Sequence, residues 1–128
     1  MLDLAAGVGD TGFLAFPRLR PGGRLTTTDV ATGMVDAARR RAGELGLELD
    51  GVSFAVEDAA ALSFPDASFD GVLCRWGLML VPDMAAAARE LARVLRPGGR
   101  AAVAVWAAPE ANDWITVAGR SALELGLL

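Results

Sequence analysis

Leu2-Asp3-Leu4-Ala5-Ala6-Gly7-Val8-Gly9-Asp10-Thr11-Gly12 is the stretch that decides the fold. Its first residues read as a β-strand that runs straight into a glycine-rich turn. Without Cβ atoms at 7, 9 and 12, backbone amides can approach a ligand that a side chain would exclude. The helix that follows aims its unpaired N–H groups and the positive end of its dipole at the same spot. Such a turn suits a carboxylate or a phosphate, although a glycine turn can also serve the backbone alone.

Working outward, strands alternate with helices. Thr11–Leu19 predicts a weak helix, which Pro17 ends or kinks by removing a backbone donor. Pro21-Gly22-Gly23 is a turn, and Arg24–Val30 a second strand rich in β-branched threonine. Thr32 is placed to cap the next helix, where Met34, Val35, Ala38, Ala42 and Leu45 recur at helical spacing and Gly46 closes the end. Val52–Val56 is a third strand, Leu62–Ala67 a loop and Phe69–Arg75 a fourth strand. Pro82-Asp83 opens a helix with an apolar stripe of Met84, Ala88, Leu91 and Leu95. Pro97-Gly98-Gly99 stops that helix, Ala101–Trp106 is a fifth strand apolar on both faces, and Pro109–Leu125 a last helix. The alternation implies an α/β domain with right-handed crossovers and a parallel sheet, in which the fifth strand reads as covered on both sides. At 128 residues, without a linker or repeat, residues 1–128 form one domain.

Composition narrows the function classes. The chain is 53% hydrophobic, with mean hydropathy +0.38, which suits a packed domain rather than a disordered chain. A net charge of −4 repels phosphate backbones and argues against a nucleic-acid partner. The basic run Arg39-Arg40-Arg41 reads as a solvated helix face. Cys74, the single cysteine, excludes an intrachain disulfide and sits in an apolar strand pattern as a small hydrophobe. With no histidine, histidine triads and histidine-bound zinc are out. No apolar run of ~18 residues lacks a charge or breaker, so no membrane span is expected, and no signal peptide is legible. The expected location is cytoplasmic.

Two acids extend the glycine turn into a site. Asp29 ends the second strand, where ligand crevices of open parallel sheets lie, and its carboxylate can accept two hydrogen bonds from a ribose diol. The competing reading is a cap for the next helix. Asp58 follows the third strand, placed to accept from an adenine amino group while the Ala59 amide donates to the ring.

These segments together resemble the class I S-adenosylmethionine-dependent methyltransferases, in particular the methyltransferase type 11 subgroup that contains the ubiquinone/menaquinone-type C-methyltransferases. The first motif is matched by residues 2–10 and the second by Thr28-Asp-Val-Ala-Thr-Gly-Met34. Phe54-Ala-Val-Glu-Asp-Ala59 resembles the adenine segment, residues 64–77 the fourth-strand motif, and Arg93-Val-Leu-Arg-Pro-Gly-Gly99 the turn before strand five. The resemblance implies a Rossmann-like three-layer sheet of about five strands in the order 3-2-1-4-5, lacking the family's last two strands, with S-adenosyl-L-methionine as cofactor. It places Asp3, Gly7 and Gly9 around the methionine portion, with Ala5 at the position of the first motif glycine. Asp29 falls on the ribose, Val30 and Met34 beside the adenine, Asp58 and Ala59 at the adenine edge, and the Arg75 backbone near the methionyl amino group. Trp76 lines the side expected to take a small-molecule methyl acceptor.

The chain departs from the family pattern at Ala5, at Pro17, and by beginning inside strand one and stopping after strand five. That truncation predicts weakened cofactor affinity and self-association through an exposed strand-five edge. No general base is identifiable. Two other readings fit parts of the sequence. One is an NAD(P)-dependent Rossmann oxidoreductase domain, since Gly7-x-Gly9-x-x-Gly12 with Asp29 also fits that fingerprint. The other is a catalytically inactive nucleotide-binding or scaffold module.

Overall fold

The computed structural model describes residues 1–47 and 51–127. Five parallel strands form one sheet in the order β3-β2-β1-β4-β5: β1 (Leu2–Asp3), β2 (Leu25–Asp29), β3 (Val52–Val56), β4 (Phe69–Arg75) and β5 (Leu95–Ala104). The helices are α1 (Asp10–Ala15), α2 (Thr32–Glu44), α3 (Met84–Val94) and α4 (Asp113–Glu124). The order and the parallel pairing are those implied by the motifs.

Alternation along the strands divides the core in two. Leu2, Leu4, Val72 and Cys74 face one side and pack with Ala87, Leu91 and Val94 of α3. Leu25 faces the other side, with Phe13 of α1 and Ala38 and Ala42 of α2. A helix layer on each face gives the three-layer architecture. Burying leucines such as Leu2, Leu4 and Leu25 contributes about 1.5–3 kcal/mol each. Cys74 is buried here, and burial pushes its thiol pKa up, so it behaves as the small hydrophobe its strand context suggested.

Several local expectations are corrected. Pro17 splits the first helix: α1 stops at Ala15, and Phe16–Arg18 continues as one 3₁₀ turn with Pro17 at its start. Thr32 is the first helical residue of α2 rather than its cap; Ala31 holds the cap position, and its N–H donates to Asp29 Oδ1 at 3.0 Å. The inward face of α3 is Ala87, Leu91 and Val94; Leu91 is as expected, but Met84 and Ala88 are exposed, and Leu95 lies beyond the helix, paired with Phe69 of β4. Pro97-Gly98-Gly99 is therefore a bulge inside β5, between Leu95 opposite Phe69 and Arg100 opposite Gly71. The last helix is shorter than expected, a 3₁₀ turn at Pro109–Ala111 preceding α4.

The largest correction concerns β5. Its continuous apolar run suggested burial on both faces, yet residues 100–105 are exposed throughout, with Val103 at 44%. The strand lies at the sheet edge, and the contacts of α4 are concentrated on the 3₁₀ turn just before it. The edge position is the one the order 3-2-1-4-5 implied; what the strand's own sequence does not specify is whether other elements cover its faces.

Candidate functional site

The turn after β1 is built from left-handed residues: Ala5 at φ 52°, Gly7 at 58° and Gly9 at 86°. Leu4 N–H donates to Leu73 O and Ala6 N–H to Thr28 O, both at 2.8 Å, so the turn is tied to β4 and β2 at once. At Gly9 a Cβ would lie 2.5 Å from the Phe13 ring, and at Gly12 one would lie 2.5 Å from Asp3 Oδ2. A Cβ at Gly7 would meet nothing within 4 Å, so the peptide there faces open space.

Asp3 is 1% exposed. Its Oδ2 accepts the Gly12 N–H at 2.8 Å, while Oδ1 is buried with no partner among the described residues. Burial raises its pKa from 3.8 to about 6, against the opposing pull of the Gly12 amide and the Arg75 charge. The structure thus makes Asp3 the anchor that holds α1 against the turn.

Asp29 crosses from the tip of β2 to the same turn, its Oδ2 accepting the Gly7 N–H at 2.9 Å. Its other oxygen serves Ala31, so the helix-capping alternative is half right: one carboxylate joins turn and helix start. Each oxygen keeps a lone pair for a further donor. The Glu57 N–H donates to Asp29 O at 3.0 Å, which carries the β2–β3 pairing one step beyond the strands and brings Asp58 to the same end of the sheet. Asp58 Oδ1 accepts the Ala60 N–H at 2.9 Å, leaving its second oxygen outward, and Ala59 is buried. Val30 and Met34 are exposed beside Asp29.

Across the turn, Trp76 follows the end of β4 with φ 61°, a conformation that costs a bulky residue on the order of 1–3 kcal/mol. Its N–H donates to Ala104 O at 2.7 Å. Its ring stacks on Trp106, centroids 4.9 Å apart and planes 13° from parallel, and the Arg75 guanidinium lies 4.3 Å from the ring centroid. The tryptophan packs, yet 39% of it stays exposed. A groove of about 960 Å³ follows α1, with Leu14, Arg18, Leu45, Leu73 and Arg75 in its walls.

Sequence reasoning placed Asp3, Ala5, Gly7, Gly9, Asp29, Val30, Met34, Asp58, Ala59, Arg75 and Trp76 at the site, and all lie on or just beyond the carboxyl ends of β1–β4. It missed three supports. Gly77 has to be small because its Cβ would sit 2.4 Å from that of Ala5. Glu57 accepts the Ser63 N–H at 2.9 Å and shapes the loop carrying Asp58. Arg93 clamps that loop to α3 through Leu62 O at 2.9 Å, Phe64 O at 2.7 Å, Asp66 at 2.8 Å and Glu90 at 2.7 Å. The Arg-x-x-Arg-Pro-Gly-Gly segment was visible; the distant partners of its first arginine were not.

The sequence pattern of the methyltransferase domain family matches residues 2–103. Demethylmenaquinone methyltransferase of Thermus thermophilus is 44% identical over 103 residues, covering 80% of this chain and 45% of the relative. The chain thus spans less than half the length of that curated relative. Among solved structures, the YcgJ protein of Bacillus subtilis superposes with TM-score 0.77 at 32% identity, over 93% of this chain and 50% of that one. The [4+2]-cyclase SpnF superposes with TM-score 0.71 at 33% identity, over 80% and 36%.

Proposed function

Because the chain belongs to the methyltransferase domain family, the S-adenosylmethionine-dependent methyltransferases whose motifs it carries, we propose that it is the cofactor-binding core of an enzyme that methylates a small molecule. The observation that carries this reading is the joining of Asp29 and the loop of Asp58 at one sheet end, through the Glu57–Asp29 backbone bond.

The residues present fit S-adenosyl-L-methionine. Gly7 offers bare peptide where a Cβ would fill open space, and Asp29 keeps lone pairs for two ribose hydroxyls. Val30 and Met34 present apolar surface for the adenine faces, with the free oxygen of Asp58 and the Ala59 backbone for its edge. The backbone at Arg75 lies beside the turn for the methionyl amino group. Asp3 acts through the turn rather than by contact, since its side chain is sealed beneath it. When bound, the cofactor supplies a methyl group on an already activated sulfonium leaving group, so the chain's own task is alignment and exclusion of water. A base is required only where the acceptor carries a proton that must leave. The half-exposed Trp76, backed by Trp106, offers a flat face to an acceptor with an apolar or aromatic ring. The name of the Thermus thermophilus relative, which specifies a demethylated menaquinone, favours such an acceptor.

The rest of the reading follows from charge and exposure. The acidic surface disfavours nucleic acid as acceptor, and no helix among the described residues is long and apolar enough to cross a membrane. A cytoplasmic enzyme fits these features, and the open β5 is the surface through which copies would associate.

The test is ligand-dependent melting. S-adenosylhomocysteine at a hundredfold excess over its Kd should stabilise the fold by about 2.7 kcal/mol, NAD should not, and Asp29→Ala should weaken S-adenosylhomocysteine at least tenfold. Stabilisation by NAD alone would return the chain to the oxidoreductase reading. Stabilisation by neither would leave an inactive module.

A further inference from the structure

The opposite end of the sheet carries a feature that the methyltransferase reading does not use. At the amino ends of β1, β2 and β4 lies a groove of about 690 Å³. Arg18, Arg20, Arg24 and Arg96 line it, and among the described residues Asp70 is the one carboxylate beside them. Four arginines thus meet one acid among the described residues, in a molecule whose net charge is negative.

Asp70 does not neutralise the group. Its Oδ1 pairs closely with Arg96 at 2.8 Å, while Arg20 reaches Oδ2 only at 3.7 Å with both side chains largely exposed. Arg18 donates to the Leu14 carbonyl, a neutral acceptor that leaves its charge uncompensated. The Arg24 guanidinium has no partner among the described residues. The arginines also hold Asp70 well below the usual carboxylate range, Arg96 foremost, as expected where positive potential dominates. Four like charges around one cavity repel one another, and a bound anion removes that repulsion.

The shape suits a phosphate better than a simple halide. Guanidinium forks match phosphate oxygens two at a time. The floor includes Gly22 and Gly23, and at Gly22 a Cβ would meet nothing within 4 Å. Leu19 and Phe69 add an apolar wall for an organic portion.

We propose that this amino-end groove is a second binding site, separate from the glycine turn, for a ligand bearing a phosphate or pyrophosphate group. The group could be carried by a soluble phosphoester or by a lipid headgroup, and the chemistry of recognition is shared. The proposal does not depend on the methyltransferase reading.

Titration calorimetry of the 128-residue chain with pyrophosphate at low salt, and co-sedimentation with phosphatidylglycerol vesicles, test it and separate the two sources. Saturable pyrophosphate binding that weakens with added salt is expected, with Arg24→Gln and Arg18→Gln each costing at least fivefold. Both arginines are exposed, so neither variant should disturb folding, and S-adenosylhomocysteine affinity should stay unchanged in Arg24→Gln. Vesicle binding without pyrophosphate binding, lost in Arg24→Gln, assigns the site to a headgroup. Absence of both, or binding that neither variant weakens, overturns the proposal.

Discussion

The glycine turn and strand β5 are both apolar stretches of similar length, and the structure treats them in opposite ways. The turn is tied to three neighbours: Ala6 to Thr28 on β2, Leu4 to Leu73 on β4, and Gly12 of α1 to Asp3. Two of these ties depend on a small residue or a buried carboxylate, at Ala6 and at Gly12 with Asp3. Among the described residues strand β5 has one hydrogen-bonded neighbour, β4, and both of its faces meet solvent. One region is fixed by contacts that leave no room for a methyl group at Gly9 or Gly12. The other is fixed by a single ladder, and its side chains are free to change.

A methyl group placed in the turn is the harshest way to break the contrast. Gly12→Ala puts a Cβ 2.5 Å from Asp3 Oδ2 and 3.0 Å from Asp3 Cβ. Asp3 is walled in, and its carboxylate cannot swing away without giving up its one hydrogen bond among the described residues, from the Gly12 N–H. The variant should lose about 2–4 kcal/mol of stability, combining overpacking with an unsatisfied buried acceptor. Urea denaturation measures it, and a loss under about 0.5 kcal/mol, the range of ordinary surface changes, would show that the turn has slack.

The buried carboxylate predicts a pH dependence of somewhat smaller size. Asp3 has a folded-state pKa of about 6 against an ordinary 3.8, so between those values the folded chain binds the proton more tightly than the unfolded one. This group therefore favours folding as pH falls from about 6 to about 4, and opposes it above. The span corresponds to on the order of 3 kcal/mol. Asp3→Asn keeps an acceptor for the Gly12 N–H and removes the titration. Wild type should thus gain on the variant as pH is lowered from 7 to 4, and parallel stability profiles over that range would show that Asp3 does not titrate there. Arg75 is the charge that opposes the shift, so Arg75→Gln should move the midpoint upward.

What was legible from the chain divides along the same line. The turn could be read because each requirement is local: glycines where φ is positive, an acid at the strand end, a following helix. Asp29 and Asp58 could be placed together because strand order and strand ends follow from the motifs. Gly77 could not be read, since its constraint comes from Ala5, seventy-two residues earlier. Nor could the Arg93 clamp, whose acceptors Leu62 and Phe64 are set by how the loop folds back onto α3. The exposure of β5 was misread for a related reason. An apolar run says that a strand could be buried on both faces, but only its neighbours decide whether it is.

The gentlest change belongs to β5, and there the two regions differ in kind. Val103 stands on an apolar face next to the open edge, 44% exposed. Val103→Lys places a charge where it can reach water, so stability should stay within about 0.5 kcal/mol of wild type. The same charge should disfavour strand-to-strand contact between copies, since lysine on an edge is a common block to pairing. Sedimentation velocity over a concentration series should show a wild-type chain that associates and a variant shifted toward monomer, with S-adenosylhomocysteine affinity equal in the two. Association that persists unchanged in the variant would locate the contact elsewhere, the exposed apolar side chains of α4 being the next surface to alter. A large drop in stability would mean instead that β5 is packed in solution, and that the contrast with the glycine turn is smaller than the exposed side chains suggest.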